Sequence, residues 1–543
     1  MSQLNPRLND IFSQYPMPEK LKRLTILFIA ASIAYMIIAG SLAIMMRLIQ
    51  SRTIVGAGGE MNGVFYTALT IHGQLMFFGF ISMLTVGISY YFVSKFGRKN
   101  LFSFKLAVAS FVLMNIGAIL LITSGLMMYG GGWYNLYPLP FHPGNGGWTT
   151  FASLVYLTAD TAIALGISSF TFNVIMTLFT GTISVQKLGK KDEVVDEYEV
   201  DRIENESITK WQRFVALFGA NSWLPTKHRI KSPIVPIVLI GVFVNCVAQS
   251  AGNIGLFMHL YIGYESVLNP DYHANWLLAK NLWWFFGHPI VYFTLFSFIG
   301  AAYYYIPKYV NNKIPYNRWA YRPWPFYMAF TVMVYNHHIF MDMPNPDMAG
   351  FMSQFASFGV VFPSGLTLMT ILLYVFRSRI RWDITSMFML LGISGWFFGG
   401  IAGIETGWWG ENVYLHNTTQ VVGHIHLVIL MGSVPLVFGL IYSLIPEITG
   451  KALNRSLGFV HFITLSLGGY GLAFFFTYLG YYGLIRREAE IPAKFAWAMP
   501  YMNFFALTVA FGILVFAYNL FRTLKKSNPE ALASSPKAEP KNT

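Results

Sequence analysis

Among the histidines inside or at the ends of strongly apolar segments are His72, His288, His337, His338, His416, His424 and His426. A membrane is a costly place for an ionisable side chain, and one found there usually has a partner and a task. The most telling pair is His424 and His426, in the run HNTTQVVGHIH. On a helix, residues two apart point about 200° away from each other. Two imidazoles so placed cannot share one metal ion. They can each hold a different group, one on either side of the helix.

The other histidines supply a complementary set. A six-coordinate heme takes two axial ligands and a five-coordinate heme takes one. A trigonal histidine copper site takes about three. His72 lies in TIHGQLMFFGF and could pair with His426 on a low-spin heme, leaving His424 as the single ligand of a second heme. His337 and His338 are adjacent in YNHHIFMD. Neighbours on a helix diverge by about 100°. They can converge on one ion if the helix end is irregular, and Pro344 and Pro346 just beyond make that reasonable. His288, in FFGHPIVYF, would complete a copper triad. Tyr292 stands four residues on, over the same helix face. Any one of these histidines alone could be a hydrogen-bonded structural residue or a proton relay. The combination is much harder to obtain by chance.

The rest of the chain says what must position them. Of 543 residues, 55% are hydrophobic and only 11% are charged, too few charges for a soluble protein of this length. Cys246 is the only cysteine, so intrachain disulfides and thiolate metal clusters are excluded, and histidine must carry any metal. About twelve segments are long enough to span a bilayer, near 24–48, 65–95, 103–128, 150–183, 233–263, 276–307, 324–341, 351–376, 384–404, 414–447, 457–483 and 497–522. The expected fold is therefore an all-α integral membrane protein. The net charge of +13 gathers in alternate loops, such as 93–100, 307–322, 377–382 and 449–455. The positive-inside rule then puts both termini in the cytoplasm and gives no reason to invoke nucleic acid. Residues 1–23 read as a cytoplasmic lead-in without a cleaved signal, 24–522 as the membrane domain with a cytoplasmic insertion at 185–232, and 523–543 as a disordered cytoplasmic tail. His142, in a Gly-, Pro- and aromatic-rich loop, reads as an ordinary residue.

WWFFGHPIVYF, YNHHIF and HNTTQVVGHIHLVILMG resemble subunit I of the heme-copper oxygen reductases, the terminal oxidases of prokaryotic cell membranes. The resemblance runs from His72 to Arg486 and Arg487. It implies a low-spin heme on His72 and His426, a high-spin heme on His424, and a copper ion, CuB, on His288, His337 and His338. O2 would be reduced to water between that heme iron and CuB, with proton translocation. It further implies that Tyr292 is covalently joined to His288 and supplies an electron and a proton during O–O cleavage. Nitric oxide reductases lack a tyrosine at this spacing. Arg486 and Arg487 match the arginine pair that binds heme propionates, Asp342 and His416 match positions near those propionates, and Trp283 and Trp284 are expected to wall the site.

The departures select a branch. Ile290 stands where the best-known members of the A family carry glutamate, and Thr367 where they carry lysine. Ser364, Thr367, Thr370 and Tyr303 are similar to the B family, where they would form a proton path. Asn417 replaces an aspartate that helps to hold magnesium, so no magnesium site is expected. Asp160 is an intramembrane acid without an assigned role. Expected partners are a subunit II, further small membrane subunits, and cytochrome c, a cupredoxin or quinol as electron donor. The heme type, a or b, stays open. Two rivals remain: a nitric oxide reductase on the same scaffold, and a twelve-span proton-coupled transporter, which would be colourless.

Overall fold

The structure is a computed structural model; it describes residues 15–54, 60–131, 147–181, 183–186, 200–202, 209–224, 235–310, 318–342, 348–376 and 379–525. His142, Pro344, Pro346 and the tail from 526 lie outside the described residues. The architecture is all-α apart from one short antiparallel ladder, Ser184–Gln186 with Val200–Arg202, inside the polar insertion.

Eleven helices among the described residues are long and apolar enough to cross a membrane. They are α1 (Glu19–Gln50), α2 (Asn62–Gly97), α3 (Phe104–Leu126), α4 (Thr150–Phe179), α6 (Ile237–Leu268), α7 (Trp276–Tyr309), α9 (Gly350–Phe376), α10 (Ile384–Gly407), α12 (Thr419–Thr449), α13 (Arg455–Tyr481) and α14 (Ala493–Lys525). Shorter helices are α5 (Lys210–Leu217), α8 (Trp324–Met333) and α11 (Trp409–Leu415). Local sequence sets many of the starts. Ser103, Thr149, Asn275, Thr418 and Asn454 each accept a backbone N–H of the first turn, satisfying a donor the helix itself leaves open.

The count differs from the expected twelve at one place. The segment foreseen at 324–341 is α-helical only over Trp324–Met333 and continues as a 3₁₀ helix over Val334–Asp342. A nine-residue 3₁₀ run is long for this geometry, and such runs tend to mark function or strain. This is the segment that carries the HH pair.

Two spans also depart from α geometry. In α2 the residues Leu75–Ser82 form a π-helix, and in α12 so do His426–Ser433. One π segment begins three residues after His72 and the other on His426 itself. π turns are rare in helices and concentrate at functional sites.

Close helix approach holds the centre together. Gly395 of α10 passes so near α12 that an added Cβ would lie 2.0 Å from the Met431 carbonyl oxygen and 2.7 Å from the Gly432 nitrogen. Backbone cannot swing aside as a side chain can. Gly395→Ala is expected to cost about 1–3 kcal/mol or more through forced separation of the two helices. Thermal unfolding followed by circular dichroism would measure this, and an unchanged midpoint would contradict the packing described.

Candidate metal centre

Three imidazoles meet between α7 and the 3₁₀ segment. One ligand nitrogen from each of His288, His337 and His338 can be chosen so that all lie within 4.8 Å of one another. His288 Nδ1 and His338 Nε2 are 3.1 Å apart. Nitrogens bound at about 2 Å to a common ion stand roughly 3–4 Å apart, so the cluster has the dimensions of a metal site. His288 Nε2 is buried without a hydrogen-bond partner among the described residues. His288 therefore directs one nitrogen at the cluster and keeps the other uncommitted.

Surrounding residues fix the tautomers. The Ser357 hydroxyl donates to the Ser353 carbonyl at 2.8 Å, so its oxygen accepts from His337 Nδ1 at 3.1 Å. His337 is thereby left with a lone pair on Nε2. Ligand imidazoles commonly donate their second nitrogen in this way, which sets ring orientation and basicity. Trp284 lies flat on His338, with ring centroids 3.7 Å apart and planes within 5°. Trp283 is buried and tilts against His259 at 5.3 Å.

The same logic orders the other three histidines. His72 Nδ1 donates to the Ala39 carbonyl at 2.9 Å, His424 Nδ1 to Gly399 at 2.9 Å, and His426 Nδ1 to Val422 at 2.7 Å. A carbonyl only accepts, so each Nδ1 carries the hydrogen and each Nε2 keeps its lone pair. His424 lies within electrostatic reach of His288 and His337, whereas His426 lies within reach of His72. The tenth expected span thus sends its two imidazoles to opposite neighbours. Gly403 leaves room for the first of them, since a Cβ there would stand 3.0 Å from His424 Cε1. These donor sets fit one copper ion and two axially ligated hemes.

Tyr292 follows His288 by one turn, with ring centroids 4.9 Å apart. Tyr327, which sequence reasoning missed, connects it to the expected proton-path residues. Its hydroxyl donates to Thr367 Oγ1 at 3.1 Å, and it lies beside both Tyr292 and Ser364. Tyr303 reaches the Thr367 carbonyl at 3.5 Å and stands next to Thr370. All the expected path residues are therefore gathered along the α7–α9 seam.

Arg486 and Arg487 occupy the turn between α13 and α14. That turn is tied to the start of α12: Thr419 N donates to Leu484 O at 2.8 Å, and Arg486 N to Asn417 O at 2.9 Å. Arg487 takes a left-handed backbone, φ 69°, which a residue with a Cβ adopts at some cost. Burial pulls the Arg486 guanidinium down to about 10 and that of Arg487 to about 9, so both stay cationic at pH 7. His416 sits nearby. Burial, reinforced by Arg486 and Lys280, holds it at about 3. The unfolded group would titrate near 6.5. This contribution to stability is thus full above that value and fades as pH falls toward 3. Asp342 is not free for other work: Lys280 Nζ contacts both of its oxygens, at 3.1 and 2.8 Å. Lys280, like Ser357 and Tyr327, is a residue that the sequence did not single out. Asp160 stays apart from the centre, buried beside Tyr156 and Tyr129.

Membrane-length helices thus close around six imidazoles, four of them with Nδ1 committed to a hydrogen bond and Nε2 left with its lone pair. Residues 23–195 and 207–515 match the family described as cytochrome c and quinol oxidase polypeptide I, and the chain belongs to that family. It is 24% identical over 509 residues to cytochrome c oxidase subunit 1 of Thermostichus vulcanus, covering 93% of this chain and 84% of that one. It is 26% identical to the heme-copper oxidase subunit I+III of Aeropyrum pernix over 82% of this chain, and spans half the length of that relative. A cryo-EM structure of a heme-copper terminal oxidase dimer superposes with a TM-score of 0.74 at 18% identity, over 94% of this chain and 84% of that one. That likeness supports the fold. The family implies hemes and copper, oxidoreductase chemistry and a place in terminal respiration.

Proposed function

We propose that this chain is the catalytic subunit of a B-type terminal oxidase that reduces O2 to water and translocates protons across a prokaryotic cell membrane. The observation that carries the reading is the divergent pair His424 and His426, one facing the His288–His337–His338 triad and the other facing His72. When bound, the low-spin heme on His72 and His426, the high-spin heme on His424 and CuB on the triad supply electrons and the O2-binding metal atoms.

The chain's own residues manage geometry and protons. Ser357, Ala39, Gly399 and Val422 orient the imidazoles. Arg486 and Arg487 hold the heme propionate carboxylates by charge-assisted hydrogen bonds. Tyr292 holds a phenolic proton beside His288 and gives it up, with one electron, during O–O cleavage. His288 Nε2 has no hydrogen-bond partner among the described residues and is the nitrogen we assign to the covalent link with the Tyr292 ring. Forming that bond removes one hydrogen from each residue, with O2 as the oxidant. Protons enter from the cytoplasm past Thr370 and Tyr303, then Thr367, Ser364 and Tyr327, to Tyr292. Four protons and four electrons consumed per O2 give two waters. Both termini are cytoplasmic, and subunit II with further small membrane subunits delivers electrons from cytochrome c, a cupredoxin or quinol.

Tyr327→Phe, or Thr367→Val, is expected to slow turnover by about tenfold or more by interrupting proton delivery to Tyr292. Proton uptake followed with a pH dye, at unchanged metal content, checks this; wild-type uptake in both variants would remove Tyr327 and Thr367 from the path. The reading as a whole rests on spectra of the dithionite-reduced protein with and without carbon monoxide, iron and copper analysis, and O2 uptake. Two hemes, one copper, a single CO-sensitive heme and O2 consumption are expected. NO turnover without O2 uptake would favour a nitric oxide reductase, and a colourless folded protein a transporter.

A further inference from the structure

One face of α7 carries four functional side chains at a regular interval: Lys280, Trp284, His288 and Tyr292, each four residues after the last. On a helix such residues stack above one another. Three of them grip the 3₁₀ segment. Lys280 takes both oxygens of Asp342, at 3.1 and 2.8 Å. Trp284 lies flat on His338 at 3.7 Å. His288 meets His338 nitrogen to nitrogen at 3.1 Å and the His337 ring at 4.8 Å. The two elements are thus held together like the sides of a zip.

The ion pair sits at the end of that zip. Asp342 is the last residue of the 3₁₀ helix, four after His338. A 3₁₀ helix has poorer hydrogen-bond geometry than an α-helix and does not hold a long run by itself. Something external must fix its end. Lys280 and Asp342 are each about one-quarter exposed, at 28% and 25%, so the pair adds little to overall stability. Its two-oxygen contact does restrict where the segment can end. If that end shifted or rotated, His337 and His338 would turn away from His288. Metal sites are sensitive to supporting contacts on this scale.

We propose that Lys280 and Asp342 are positioning residues for the copper site, an ion-pair clamp that sets the pitch and end of the 3₁₀ segment so that its two histidines meet His288. The inference rests on the heme-copper reading above. It predicts a defect in copper, not in heme.

The test uses the purified oxidase complex with Lys280→Met, Asp342→Asn, Lys280→Arg and the charge swap K280D/D342K. Two readouts are taken besides turnover. One is copper per heme after a fixed exposure to a chelator. The other is the infrared C–O stretch of carbon monoxide photolysed from heme onto copper. Lys280→Met and Asp342→Asn are each expected to lose copper about tenfold more readily, with both hemes retained and the C–O band broadened and displaced. Lys280→Arg and the charge swap should restore both readouts. Full copper with an unshifted, narrow band in both single variants would overturn the clamp. So would joint loss of hemes and copper that neither Lys280→Arg nor the swap repairs, since the effect would then lie in assembly. Two hemes without copper in the wild-type protein would instead defeat the heme-copper reading itself, a result distinct from either.

Discussion

His424→Ala is expected to consume no O2 above background while keeping a low-spin heme spectrum. The reason is geometric. His424 faces the triad of His288, His337 and His338, whereas His426, two residues on, faces His72. On the proposed assignment, loss of His424 removes the one protein ligand of the O2-binding heme and leaves the His72–His426 pair untouched. His426→Ala should do the reverse: the low-spin band is lost, the carbon monoxide shift of the other heme survives, and turnover stops for want of electrons. Reduced-minus-oxidised and carbon monoxide difference spectra of the two variants separate these outcomes. If both substitutions removed the same heme, the assignment of opposite faces would be wrong.

Tyr292→Phe is expected to retain both hemes and copper yet lose turnover by about 10²–10⁴-fold, the range in which a positioned proton donor is felt. Phenylalanine keeps the ring that packs on His288 and stacks on Phe296 at 5.0 Å. It removes only the hydroxyl, so a structural role would be spared. The variant should also lack the link to His288. A peptide mass map would show the linked pair in wild-type protein, lighter by two hydrogens than its separate peptides, and show two ordinary peptides in Tyr292→Phe. Wild-type O2 reduction by Tyr292→Phe would exclude the residue as donor and reopen the nitric oxide reductase reading.

Much of this was legible in the sequence, for definite reasons. Unpaired imidazoles are costly in a membrane, so the histidines of the apolar segments drew attention to the place where His288, His337 and His338 meet. Helical geometry then separated His424 from His426 without any coordinates. The change of winding within 324–341 was not legible because hydropathy is blind to backbone pitch: YNHHIFMD is as apolar in a 3₁₀ helix as in an α-helix. Ser357, Tyr327 and Lys280 were missed for another reason. Each acts through a residue distant in the chain, at separations of 20, 40 and 62 positions. No local pattern could link them. Lys280 could have been found on the four-residue stripe with Trp284 and His288, had its partner across the interface been known. The carbonyls of Ala39, Gly399 and Val422 were beyond sequence reading altogether, since every residue carries one.

The π segments in α2 and α12 have a bearing on how these helices tolerate changes in length. A π turn winds extra chain into the same rise, as though a residue had been inserted and never expelled. Deleting one residue within Leu75–Ser82 or His426–Ser433 would let the helix relax toward ordinary winding and remain continuous. Everything beyond the deletion would keep both its height and its facing, because the wide turn absorbs the extra residue instead of passing it on. Met431, which packs closely against α10 beside Gly395, would keep that contact if the residue removed lay before it. Each of these two spans therefore carries a surplus residue that the helix takes up locally, near His72 in one and at His426 in the other. Homologous chains that differ by single-residue gaps just after these histidines should differ in winding rather than in helix number.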